Sequence, residues 1–179
     1  MGKDGGGVLG KIRFRILDMA EELKIATGTK EEKYRSLMAQ IASVTSSEDD
    51  MIANMANVAA MIHETFGFWW TGFYRVCDNN PRQLVLGPFQ GPLACSRIPF
   101  GRGVCGTAWA KAETVIVPDV EQFPGHIACS SASRSEIVVP LFDKTSGEVT
   151  AVLDIDSAEL ETFDDTDRIW LEQIASLLG

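Results

Sequence analysis

The chain is poor in the residues that most often build metal sites. It has two histidines and four cysteines among 179 residues, and positions 77, 95, 105 and 129 include no Cys-x-x-Cys pair, so a zinc site has little support. The acids near the C-terminus lack the loop spacing of an EF-hand, which leaves calcium equally unsupported. No stretch approaches the roughly 18 apolar residues of a membrane span. The N-terminus also lacks the basic start, apolar centre and small-residue cleavage site of a secretory signal. Positive charge is scarce as well: 16 Lys and Arg against 25 Asp and Glu give a net charge of -9. That balance repels phosphate backbones and anionic lipid, so neither nucleic acid nor a membrane is expected as a partner. The expected location is cytoplasmic, in a reducing compartment where cysteines serve as thiols or redox centres more often than as structural bridges.

What is present is enough apolar material, 45% of residues, for one well-buried core. Residues 1–28 form an N-terminal extension of unknown role: "KIRFRIL" alternates like a strand, yet Leu9, Ile12, Ile16, Ala20 and Leu23 also fit one helical stripe. The domain proper is assigned to 29–179. Thr29 and Glu32 have capping-box spacing, with Tyr34, Leu37, Met38 and Ile41 following at helical intervals. "SEDDMIANMANVAAMIHETF" repeats the pattern, with Ser47 as candidate cap and Ile52, Met55, Ala59, Ile62 and Phe66 on one face. The period then changes to two. "FWWTGFYRV", "RQLVLGPF", "ETVIVPD", "SEIVVPLFD" and "EVTAVLDID" read as strands, "GVCGTAWAKA" as a short helix, and "DDTDRIWLEQIASLL" as a closing helix capped by Asp164. This order predicts an α+β fold: a single domain with a central, largely antiparallel sheet flanked by helices.

Three segments carry chemistry. In "FWWTGFY" the strand period places Trp70, Gly72 and Tyr74 on one face, so the glycine leaves a gap between two aromatic walls into which a methyl-sized group fits. The same pattern also describes aromatics packing a core. In "SEIVVPLFDKTSGEVTAVLDID" a hairpin turning near Lys144 to Gly147 sets Glu136 opposite Asp154, and a register shifted by two keeps it on the face of Asp154 and Asp156. Three carboxylates among apolar neighbours repel one another and call for something positive. The candidates are an internal base such as Arg134, water at a strand end, a ligand ammonium, or a proton kept on one acid for general-acid work.

The third segment holds the sulfurs. Cys105 opens a short helix after "GRGV", where unpaired backbone N–H groups could stabilise a thiolate. Cys129 lies in "FPGHIACSSASR", with His126 and Arg134 close enough in sequence to lower a thiol pKa, and Cys95 begins the other loop. Each cysteine alone reads as a small buried hydrophobe, while their joint placement on Gly-, Ser- and Arg-rich loops favours redox work.

"WWTGFY", "CSRIPFGRGVCGTAWA", "PDVEQFPGHIACSSASRSEIVVPL" and "VLDIDS", in this order and spacing, resemble the free methionine-(R)-sulfoxide reductases, stand-alone enzymes with the GAF fold. The likeness covers roughly residues 30 to 179. It implies that Cys129 attacks the sulfoxide, that Cys95 forms a disulfide with it, and that Cys105 is a third cysteine in a supporting role. Trp70 and Tyr74 match the aromatic walls of the substrate pocket, and Glu136, Asp154 and Asp156 its acidic side. Glu136 or Asp156 would then protonate the sulfoxide oxygen. The resemblance further implies free L-methionine-(R)-sulfoxide as substrate, a thioredoxin-like reductant, no cofactor and a homodimer. Cys77 and Trp69 match no family motif. A sensing GAF domain, binding a small molecule or responding to redox state without turnover, is the alternative, because a fold does not dictate its function.

Overall fold

The computed structural model describes residues 22–77, 79–127 and 132–179. Most of the N-terminal extension, and Cys129 with the loop residues beside it, lie outside the described residues.

Helix α1, Lys30–Thr45, begins at the expected capping box: Thr29 Oγ1 accepts from the Glu32 amide at 3.2 Å, and the Glu32 carboxylate accepts from the Thr29 amide at 2.8 Å. Its buried face carries Tyr34, Leu37 and Ile41. Part of the extension docks here too, because Gln40 exchanges two hydrogen bonds with the backbone of Lys24, and Leu23 packs on the core. Helix α2, Met51–Phe66, starts later than its expected cap. Asp50 caps it by accepting from the Ala53 amide, whereas the Ser47 hydroxyl donates to the Val44 carbonyl and helps to close α1. The buried stripe runs through Met55, Val58, Ala59 and Ile62, and Ile52, in the first turn, is 43% exposed rather than inward.

Strands β1 (Trp70–Cys77) and β2 (Asn80–Gln90) form the first hairpin. A three-residue strand β3, Arg97–Pro99, follows inside a segment read as loop; it is too short to carry a recognisable period, and its proline is tolerated because β3 is an edge. Helix α3 (Gly103–Lys111), strand β4 (Val115–Val117), a 3₁₀ turn at Val120–Gln122, strands β5 (Ser135–Phe142) and β6 (Val149–Ser157) and helix α4 (Asp165–Leu178) complete the order. The sheet runs β3-β2-β1-β6-β5-β4 with every described pairing antiparallel, so the expected α+β architecture holds.

The period of two divides this sheet into two faces. Phe73, Ile137, Val139, Leu141, Ala151, Leu153 and Ile155 point to one side and pack on α1, α2 and α4. Asp164 caps α4 as expected, and Leu171, Ile174, Ala175 and Leu178 turn inward. Helices α1 and α4 are tied by Asp167, whose fully buried carboxylate accepts from Tyr34 Oη at 2.8 Å, Lys30 Nζ at 2.5 Å and the Asp164 amide at 2.8 Å. Such a charge is tolerated in the core because both of its oxygens meet donors, one of them the Lys30 ammonium. The opposite face carries Trp70, Tyr74, Val138 and Val152 and is covered by α3 through Val104, Cys105, Ala108 and Trp109.

Candidate active site

Three neighbouring strands, β1, β6 and β5, build the floor of the site under α3. Their register lines up Trp70, Asp156 and Glu136 in one row, and Gly72, Asp154 and Val138 in the next. Glu136 therefore stands opposite Asp156, not Asp154. The turn is longer than expected: the Asp143 amide donates to the Glu148 carbonyl at 2.9 Å, and an irregularity falls between Leu141 and Phe142. Because the shift is two residues, all three acids stay on one face.

Burial decides how these acids behave. Glu136 and Asp154 are each 6% exposed, and Asp156 is half-buried with an oxygen accepting from the Ser133 hydroxyl. Glu136 is pushed well above the usual carboxylate range, first by burial and then by the charges of Asp154 and Asp156. Asp154 is raised in the same sense by burial and by Asp156, although hydrogen bonds with Cys105 and Glu136 oppose the shift. Asp156 rises to about 6 through burial, offset in part by Ser133. Burial and mutual repulsion thus favour the protonated forms of these acids over their carboxylates. The single salt bridge that reaches the trio among the described residues is from His126, whose Nε2 lies 3.9 Å from Glu136 Oε2. Burial holds His126 below its ordinary pKa, so it supplies little positive charge. Arg134, an expected partner, is exposed and engages its neighbours through its backbone. Asp154 Oδ1 is buried without a hydrogen-bond partner among the described residues.

Cys105 sits against these acids. Its Sγ and carboxylate oxygens of Glu136 and Asp154 lie within 4.8 Å of one another. The helix N-terminus was expected to favour its thiolate, but burial and the two acids outweigh that and push the thiol well above its ordinary pKa. Cys105 is therefore a neutral thiol. Sequence spacing suggested no metal ligands, whereas the fold gathers these three; an ion here would first have to displace their protons.

Trp70 and Tyr74 flank the acids on β1, 3% and 1% exposed with ring centroids 5.9 Å apart. The expected gap over Gly72 is filled by Trp70 itself. A Cβ at Gly72 would meet the Trp70 ring at 2.5 Å and Phe89 Cβ at 2.4 Å, and the indole stacks on Phe89 at 5.4 Å. Glycine here serves to let the indole lie flat across the strand. The remaining cavity, about 30 Å³, is bounded by Ile98, Val104, Cys105, His126, Ile127 and Ser133 as well as the acids. It has room for about one water, so any larger ligand must part the residues around it. A roomier groove of about 630 Å³ lies between α4 and the end of β5, but it holds no thiol and none of the buried acids.

The remaining sulfurs divide by environment. Cys95 is disulfide-bonded, and Cys77 and Cys105 are free. Cys77 accepts from Arg97 Nη1 at 2.9 Å, which lowers its pKa, on the β1–β2 hairpin away from the acids. Ser133, Ile98 and Ile127 were not singled out by sequence. Nothing in their local pattern marks them, because loop closure alone brings them to the acids.

The GAF domain family matches residues 45–179. GAF domain-containing protein A of Dictyostelium discoideum is 56% identical over 160 residues, 89% of this chain and 99% of that protein. Free methionine-R-sulfoxide reductase of Escherichia coli (strain K12) is 44% identical, over 83% of this chain and 88% of that one. The chain belongs to the GAF-domain family of free methionine-(R)-sulfoxide reductases. The X-ray structure of a family member, free methionine-R-sulfoxide reductase from Neisseria meningitidis in complex with its substrate, superposes with a TM-score of 0.84 at 54% identity, covering 88% of this chain and 92% of that one.

The raised acids carry a stability cost, and its sign follows from proton linkage. Between an unfolded pKa near 3.8 and a folded value of about 6, folded Asp156 holds a proton that the unfolded chain has lost. Stability is therefore gained as pH falls through about 6 and is at its least above it; Glu136 and Asp154, also raised, act in the same direction. Asp156→Asn keeps an acceptor for Ser133 and removes the charge. It is expected to raise the melting temperature of the ligand-free protein at pH 7.5 by about 3–6 °C, on the order of 1–2 kcal/mol, with the gain vanishing near pH 4. A loss of similar size at both pH values in thermal melts would show that Asp156 is not held against its charge.

Proposed function

We propose that the protein reduces free L-methionine-(R)-sulfoxide to methionine, using its own cysteines as the immediate reductant. The observation that carries this reading is a cluster of two buried acids and half-buried Asp156, with an unpartnered Asp154 oxygen and no strong cation beside it among the described residues, bordered by Trp70 and Tyr74. An α-ammonium supplies the missing charge and favours the ionised forms of Asp154 and Asp156 as it binds.

In the proposed chemistry the Cys129 thiolate attacks the sulfoxide sulfur while an acid donates a proton to the oxygen. Glu136 suits this donor role, since burial and the neighbouring acids raise its pKa and favour its protonated form, and Asp156 is the second candidate. In sum the oxygen passes to the Cys129 sulfur: the substrate sulfur gains two electrons and the cysteine becomes a sulfenic acid. The Cys95 thiol then attacks that sulfur, an S–S bond forms, and the hydroxyl leaves as water. Cys95 is already disulfide-bonded while Cys77 and Cys105 are free thiols, so neither of those two is its partner. Cys105, a buried neutral thiol, fits a supporting role beside Asp154. A thioredoxin-type dithiol reopens the disulfide. The reading carries with it a homodimer working in the cytoplasm, where such dithiols are kept reduced. No helix among the described residues is long and apolar enough to cross a membrane.

A substrate panel separates this enzyme from a sensing GAF domain. With thioredoxin, thioredoxin reductase and NADPH, free methionine-(R)-sulfoxide should drive sustained NADPH oxidation matched by methionine formed, and hydrogen peroxide should not. Binding of the sulfoxide without methionine release would instead support a sensor.

A further inference from the structure

The loop between β2 and β3 is pinned at two points by the aromatic pair beneath it. Trp70 Nε1 donates to the Pro92 carbonyl at 3.1 Å, and Tyr74 Oη donates to the Cys95 carbonyl at 3.0 Å. Both donors belong to side chains almost wholly buried in the sheet. The Leu86 amide adds a third tie, donating to the Ser96 carbonyl at 3.1 Å. Between the first two pins stands Leu93, 88% exposed, the most exposed large apolar side chain among the described residues. An exposed leucine on a slack loop needs no explanation. Here the backbone is anchored on both sides, so the fold itself holds the side chain out. Leu93 is two residues from disulfide-bonded Cys95, and it lines none of the cavity that holds the acids. From Gly91 to Ser96 the loop carries no charge.

We propose that Leu93 and its pinned loop are the docking surface for a protein dithiol that reopens the Cys95 disulfide; the proposal rests on the reductase reading above. Thiol–disulfide exchange runs through a mixed disulfide, so the attacking thiolate must reach bonding distance of a disulfide sulfur. A protein that brings a thiolate there has to cover the residues flanking Cys95. One whose nucleophilic thiol is ringed by apolar surface buries Leu93 in the same encounter, and a small dithiol does not. The incoming thiolate bonds to one sulfur of the disulfide and expels the other as a thiolate. The second thiol of the reductant then displaces the enzyme from the mixed disulfide. The reductant departs oxidised by two electrons, and two enzyme cysteines regain thiols. Because the loop is uncharged, this encounter depends on apolar contact and little on salt.

The test compares two reductants on wild type, Leu93→Ser and Leu93→Glu. With thioredoxin, Leu93→Glu should raise the KM for thioredoxin by about tenfold or more, the size expected when one leucine is left unburied, and Leu93→Ser should raise it less. The dithiothreitol-driven rate and the KM for sulfoxide should stay within about twofold of wild type, and the thioredoxin KM of wild type should change little between low and moderate salt. An unchanged thioredoxin kcat/KM in Leu93→Glu overturns the proposal, as does an equal loss with both reductants, which would move Leu93 into the chemistry. A wild type driven by dithiothreitol but not by thioredoxin overturns the docking surface and leaves the reductase reading standing. Turnover with neither sinks the reductase reading, and the docking surface with it.

Discussion

Cys129→Ser is expected to form no methionine, whereas Cys95→Ser should form about one methionine per active site and then stop. The first half-reaction needs only the attacking sulfur and a proton donor; the second needs a thiol to remove the sulfenic acid. A rapid-quench count of methionine against enzyme separates the two variants, and a sulfenic-acid probe should label stalled Cys95→Ser. Sustained turnover by Cys129→Ser would remove that residue from the first step. Peptide mapping after substrate exposure without reductant should recover Cys95 joined to Cys129 as the main product. A dominant link from Cys105 to Cys129 would transfer the resolving role to Cys105, against its burial as a neutral thiol. Cys77, tied to Arg97 on the far hairpin, should tolerate serine with little change in rate.

Selectivity for the free amino acid is the second large effect. An N-acetylated or peptide-bound sulfoxide presents a neutral amide where the three acids expect an ammonium. It would leave the Asp154 oxygen unpartnered and the trio uncompensated. An unpaired charge in such a site costs about 3 kcal/mol or more, equivalent to a loss of about a hundredfold or greater in kcat/KM. A missing methylene in an apolar pocket costs about 1–3, so recognition of the ammonium should outweigh side-chain fit. Asp154→Asn and Asp156→Asn should suffer comparable losses on the free substrate. The (S) epimer should react poorly, because methyl group, oxygen and attacked face cannot all be placed at once against the aromatic pair, an acid and Cys129. Equal kcat/KM for free and N-acetylated (R)-sulfoxide would refute the role given to the acids. Asp156→Asn then becomes a two-sided test: on the proposed reading the charge that lowers stability in the empty protein also holds substrate, so the variant should melt higher and work worse.

The elements whose boundaries rest on local chemistry were legible in advance. Thr29 with Glu32, and Asp164 ahead of Thr166 and Asp167, are caps whose partners lie within three residues. Alternation along 135–142 and 149–157 marked β5 and β6 and put three acids on one face whichever even register was formed. Errors arose where local signals competed. Ser47 and Asp50 both suit an N-cap, and the three residues of β3 hold less than two periods of alternation.

What the sequence by itself determined is therefore the identity and sidedness of the groups: which residues can carry sulfur chemistry, that Glu136, Asp154 and Asp156 share one face of a hairpin and Trp70 and Tyr74 one face of a strand, and which family the chain resembles. Tertiary structure alone decided their states. That Glu136 and Asp154 are pushed towards their protonated forms, that Cys105 is a neutral thiol despite its helix N-terminus, that the Trp70 ring occupies the space over Gly72, and that Leu93 is held out beside Cys95 depend on α3, the β2–β3 loop and three strands closing over one another. The physical reason is that pKa and exposure are set by how much water and which charges surround a group, and these neighbours come from residues far apart along the chain.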